Sequence, residues 1–116
     1  MRATTTGRGI KPAHPGEVLR DIWKDINLTQ GQFAGALGVS RQTVAQLLGC
    51  DRNVSADMAH RLAKALGTSP GMWMRLQEAF DLWEADKKNK RQYAKITLLA
   101  AVDSRHRERP TPVGKR

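Results

Sequence analysis

The amino-acid sequence predicts an all-α protein whose folded part is five helices joined by short connections. Three observations carry this. Apolar residues recur at three- and four-residue spacing between residues 14 and 86. Ser and Thr stand where helices would begin and Gly where they would end. The segments between these stretches are only a few residues long.

Residues 1–13, MRATTTGRGIKPA, have no apolar periodicity and read as a flexible arm. The first helix starts at HPGEVLRDIW, with Pro15 in its first turn and Glu17 near the positive end of the dipole. Its core stripe is Val18, Leu19, Ile22, Trp23 and Ile26. Thr29 suits the N-cap of a second helix with Phe33, Ala34 and Leu37 on one face. Gly38 and Val39 make a tight turn, and Ser40 caps a third helix that turns Val44, Leu47 and Leu48 inward. After a loop at GCDRNV, Ser55 caps a fourth helix carrying Met58, Ala59, Leu62, Ala65 and Leu66, with Gly67 as its stop. Ser69-Pro70 opens a fifth helix along which Trp73, Leu76, Gln77, Phe80, Leu82 and Trp83 recur. Beyond Asp86 come a solvated basic run, the ambiguous apolar segment YAKITLLAAV, and a charged, Pro-containing end with little to bury. The organisation is therefore an arm (1–13), a folded domain (14–86) and a basic, partly disordered tail (87–116).

Residues 29–48, TQGQFAGALGVSRQTVAQLL, form a helix-turn-helix signature. Its register leaves Arg41, Gln42, Thr43 and Gln46 outward, the donor and acceptor types that read base edges in a major groove. Arg41 suits guanine, Gln42 or Gln46 suits adenine, and Thr43 a thymine methyl or a phosphate. Gln30, in the first turn of the second helix, is placed for a phosphate. Arg52 and Asn53 in the following loop are candidates for the same role. With the cap Ser40, these residues make up a predicted DNA-binding site for double-stranded operator DNA.

The formal charge of +9 is divided unevenly. Residues 1–86 hold ten Lys/Arg against nine Asp/Glu, a net of +1, and residues 87–116 hold ten against two, a net of +8. The basic character belongs to the tail, so DNA binding rests on the motif and not on the overall charge. One Cys, Cys50, excludes an intramolecular disulfide, and there is no Cys/His cluster of metal spacing. No apolar run reaches the roughly 18 residues of a membrane span and no signal peptide opens the chain, so a cytoplasmic protein is expected. His14, His60 and His106 are scattered, read as surface residues, and join no catalytic constellation. Neither an enzyme nor a cofactor is expected. On the fifth helix Trp73, Leu76, Phe80 and Trp83 form a dimer-interface set, with Trp73 and Leu76 turned mostly inward and Phe80 and Trp83 shared with a second copy.

Four stretches, HPGEVLRDI, LTQGQFAGALGVSRQTVAQLL, SADMAHRLAKALGTSP and MWMRLQEAFDLWEA, resemble the HigA-type antitoxins, a branch of the Xre/Cro-like helix-turn-helix family. HPGE combined with GTSPxxWxxLQxxxDLW is the specific part. The resemblance implies a five-helix Cro/lambda-repressor-like domain, a homodimer, and repression of the chain's own operon at an inverted repeat. It further implies a RelE-like ribonuclease toxin that the chain binds and silences. A solitary repressor of the same family, without a toxin, is the alternative.

Overall fold

Each helix of the computed structural model, which describes residues 10–99, begins at a side chain that accepts from its own first turn. His14 caps α1 (Pro15–Trp23) and Thr29 caps α2 (Gln30–Leu37). Ser40, Ser55 and Ser69 do the same for α3 (Arg41–Leu48), α4 (Ala56–Leu66) and α5 (Pro70–Ala94). Such a cap satisfies one of the amides a helix start leaves unpaired and stabilises it by about 1 kcal/mol. Gly38 and Gly67 end α2 and α4 in the left-handed conformation, which costs glycine nothing. Residues 1–9 of the arm expected at 1–13, and the whole of the expected disordered end DSRHRERPTPVGKR, lie outside the described residues.

The core joins all five helices. Leu19, Phe33, Leu37, Val44, Leu47, Leu62 and Trp73 are its most enclosed members, each of the large ones contributing about 1.5–3 kcal/mol by burial. Trp73 is fully buried and satisfies its indole by donating from Nε1 to Thr68 Oγ1 at 2.8 Å. Gly16 is also buried, and a Cβ there would collide with the Leu47 carbonyl oxygen. The glycine of HPGE thus lets α1 lie directly on the backbone of α3. Arg61 of α4 donates from Nη1 to the carbonyls of Leu37, at 2.8 Å, and Gly38, at 3.3 Å. Its Nε meets Asp57 Oδ2 at 2.7 Å.

Several expectations change on this fold. His14 is 4 % exposed: Nδ1 accepts from Gly16 N at 2.9 Å and the ring meets Phe80 edge-on at 4.8 Å. It is a capping residue inside the domain and not a surface histidine. Ala65 faces solvent and Ala63 is buried in its place, because Ala63 lies one turn after Ala59 on the core face. Helix α1 stops at Trp23, so Ile26 packs on the core from the connection that follows. The boundary drawn at 86/87 falls inside α5, which runs through the basic run to Ala94 with a break in helical geometry at Asn89. Lys, Arg and Gln are good helix formers, and Asp86 pairs with Lys90 at 3.4 Å across one turn. Ile96, Leu98 and Leu99 beyond it are exposed. Among the described residues, no helix is long and apolar enough to cross a membrane.

Candidate nucleic-acid interface

The outward surface of α3 follows from what its inner surface must bury. With Val44, Leu47 and Leu48 committed to the core, Gln42 and Gln46 stand one turn apart on the opposite face. Arg41 and Gln42 are exposed, while Thr43 and Gln46 are half-buried. Ser40 Oγ accepts from Thr43 N at 3.0 Å and lies 2.9 Å from Thr43 Oγ1. The Ser40 and Thr43 hydroxyls are therefore spent on starting the helix, which leaves Arg41, Gln42 and Gln46 as its reaching side chains.

Helix α2 brings a second group to the same surface. Thr29 and Gln32 form a reciprocal capping box, Thr29 N donating to Gln32 Oε1 at 2.9 Å and Gln32 N to Thr29 Oγ1 at 3.0 Å. Gln30, first residue of the helix, is exposed beside it. A Cβ built on Gly31 would sit 3.9 Å from Arg41 Nε. The Arg41 guanidinium thus hangs over the α2 N-terminus, whose partial positive charge favours anions. Arg41 and the first turn of α2, in which Gln30 is the first residue, are brought together.

The loop after α3 completes the surface. Cys50 adopts φ 62°, a left-handed conformation that costs a non-glycine residue on the order of 1–2 kcal/mol. Its thiol accepts from Arg20 Nη2 at 3.4 Å. Asp51 N donates to the Gln46 carbonyl at 2.8 Å, folding the chain back over the end of α3. Arg52 then donates from Nε to Gln46 Oε1 at 3.0 Å. Asn53 points the other way, its Oδ1 accepting from Gln77 Nε2 at 3.2 Å. Gln77 is only 4 % exposed, accepts from Val54 N at 2.7 Å and donates to Asp81 Oδ1 at 2.9 Å. This glutamine of α5 anchors the loop, a role the sequence reading missed. The available signal was a polar residue set in register within an apolar stripe.

The predicted interface set on α5 is divided by the structure. Trp73 is wholly enclosed by its own domain and so cannot meet a second copy. Leu76 is half-buried and packs against the core. Phe80 and Trp83 are half-buried, with Lys11 Nζ 5.6 Å and Lys87 Nζ 4.9 Å from the Trp83 ring. Beside them Leu82 is 65 % exposed, on a groove of about 560 Å³ that also involves Arg75, Ala79 and Asp86.

Residues 19–73 match the family model described as "Helix-turn-helix". The chain is 32% identical over 106 residues to YbaQ of Escherichia coli K12, described as an uncharacterized HTH-type transcriptional regulator, covering 89% of this chain and 94% of that one. It is 36% identical over 75 residues to antitoxin HigA-1 of Vibrio cholerae, covering 64% and 70% of the two chains. The Pseudomonas aeruginosa antitoxin HigA, solved with the higBA promoter, superposes with a TM-score of 0.72 at 38% identity, over 78% of this chain and all of that one. The capped α2–Gly38–α3 unit, its outward face and these likenesses agree, and the chain belongs to the HigA-type antitoxins of the Xre-like helix-turn-helix family.

Proposed function

We propose that this protein is a DNA-binding antitoxin that represses its own operon and neutralises a RelE-like ribonuclease toxin by direct binding. The observation that carries the DNA half is the surface where Arg41, Gln42 and Gln46 of α3 lie beside the α2 N-terminus with Gln30. Arg41, Gln42 and Gln46 meet base edges; Gln30, Arg52 and the backbone N–H of Asn53 meet phosphates. The P. aeruginosa relative solved with a promoter supports DNA binding by this family. The active species is a homodimer joined through Phe80, Leu82 and Trp83 of α5. Two recognition helices then reach successive major grooves about 34–36 Å apart on an inverted repeat.

The toxin docks away from α3, because repression and neutralisation coexist only if the reading face stays open. The arm and α1 offer such a surface, with Trp23 half-buried there. Residues 14–86 carry the reading function, and the basic residues from 87 onward add charge. The test is co-expression with the product of the adjacent gene. A small ribonuclease that arrests growth alone and co-purifies with the chain in a stoichiometric complex supports the reading. No complex with any such neighbour overturns the antitoxin half and leaves a solitary repressor.

A further inference from the structure

The amide of Gln46 is held from one side. Arg52 Nε donates to Gln46 Oε1 at 3.0 Å, and the loop that delivers Arg52 is tied down on both flanks. Before it, Asp51 N donates to the Gln46 carbonyl; after it, Asn53 and Val54 are bound to the buried Gln77. The backbone at Arg52 is therefore a fixed strap, from which the exposed Arg52 side chain reaches Gln46.

A guanidinium carries donors only, so it determines which end of the amide faces it. Turning the Gln46 NH2 toward Arg52 would set donor against donor. The oxygen is drawn to Arg52 and the NH2 is presented outward. An unrestrained glutamine offers a donor and an acceptor side by side, the pair that the N6/N7 edge of adenine takes. With one lone pair of its oxygen taken and the Arg52 guanidinium standing on that side, Gln46 presents its NH2 as the group that reaches the base, a donor. The base edges that present acceptors without an amino group in the major groove are guanine, through N7 and O6, and thymine, through O4.

We propose that Gln46 and Arg52 act as one reading unit, in which Arg52 fixes the Gln46 amide as a donor and selects guanine or thymine over adenine at the base Gln46 meets. The proposal rests on the DNA-binding reading above and replaces the simpler expectation that Gln46 pairs with adenine. Arg52 is here a positioning residue, and its remaining N–H donors are available to a DNA phosphate.

The test is selection from a randomised duplex library by the full chain and by Gln46→Ala, Gln46→Glu and Arg52→Ala, each verified as folded by helical circular dichroism and thermal melting. The position read by Gln46 is the one whose preference disappears in Gln46→Ala. Wild type should hold guanine or thymine there over adenine by roughly tenfold. Arg52→Ala should admit adenine at that position while preferences elsewhere persist. Gln46→Glu retains a partner for Arg52 but lacks the donor, so it should turn toward the amino-bearing bases, adenine and cytosine. Adenine selected there by wild type, or an Arg52→Ala variant that weakens all sequences alike with unchanged preferences, overturns the proposal and leaves sequence-specific DNA binding intact. A wild-type chain that selects no sequence overturns both.

Discussion

Arg61 reaches from α4 to the Leu37 carbonyl at 2.8 Å, so the end of α2 is closed by a side chain 24 positions further along. The same Nη1 meets the Gly38 carbonyl, inside the turn that sets the angle between α2 and α3. A cation at the negative end of α2 also complements its dipole. Arg61→Ala should lower stability by about 1.5–3 kcal/mol, the range for hydrogen bonds to a charged donor, and weaken operator binding further than stability alone explains. Asp57→Asn removes only the exposed ion-pair partner and should cost less than about 1 kcal/mol. Denaturant titration of both variants checks the order, and equal losses would show that the carbonyl bonds contribute nothing.

Gly16→Ala tests the close approach of α1 to α3. A methyl group aimed at the Leu47 carbonyl forces the helices apart, and overpacking of this kind costs about 1–3 kcal/mol. The chain should melt several degrees lower. A melting temperature equal to wild type would mean that α1 shifts freely on α3.

Gln77→Leu should uncouple the loop from α5. It strands the buried Val54 N–H and releases Asn53, with an expected loss of about 1–3 kcal/mol for an unsatisfied buried donor. The loop amides should exchange with solvent faster, which hydrogen exchange reads directly. Unchanged protection at Val54 would show another acceptor taking over.

Trp83→Glu with Leu82→Glu should leave a monomer in light scattering with helix content intact, because both residues border the α5 groove and neither belongs to the core. The monomer should also bind a full inverted repeat far more weakly than the dimer. An unaltered dimer would move the interface elsewhere.

Arg41→Ala should cost about 1–3 kcal/mol on the operator while scarcely changing affinity for random DNA. Gln30→Ala should weaken both alike, since a phosphate carries no sequence information. Titrations on the two DNAs separate these outcomes, and equal losses for Arg41→Ala would remove it from the base-reading set.

What could be read from the chain is what depends on near neighbours. Ser40, Gly38 and the Val44–Leu47–Leu48 face lie within eleven residues, so α3 and its outward side were legible before any fold was known. The anchoring role of Gln77, the contact of Arg52 with Gln46 and the burial of His14 were not. The loop amide bound by Gln77 is 23 positions away, Arg52 depends on a left-handed Cys50, and His14 is covered by Phe80 from the far end of the domain. The length of α5 was hidden differently: apolar periodicity ends with Trp83, while good helix formers carry the backbone on to Ala94.

The three tryptophans give the molecule its own optical reporters, because each indole sits in a different dielectric setting. Trp73 is sealed from water with its N–H bonded, Trp23 lies 5.2 Å from the Phe33 ring at a half-covered edge, and Trp83 is flanked by two ammonium groups on the α5 face. Variants that keep one indole at a time would therefore emit from distinct environments. Trp73 would follow the opening of the core, Trp83 the covering of the α5 groove, and Trp23 the occupancy of the α1 side, in one unlabelled protein.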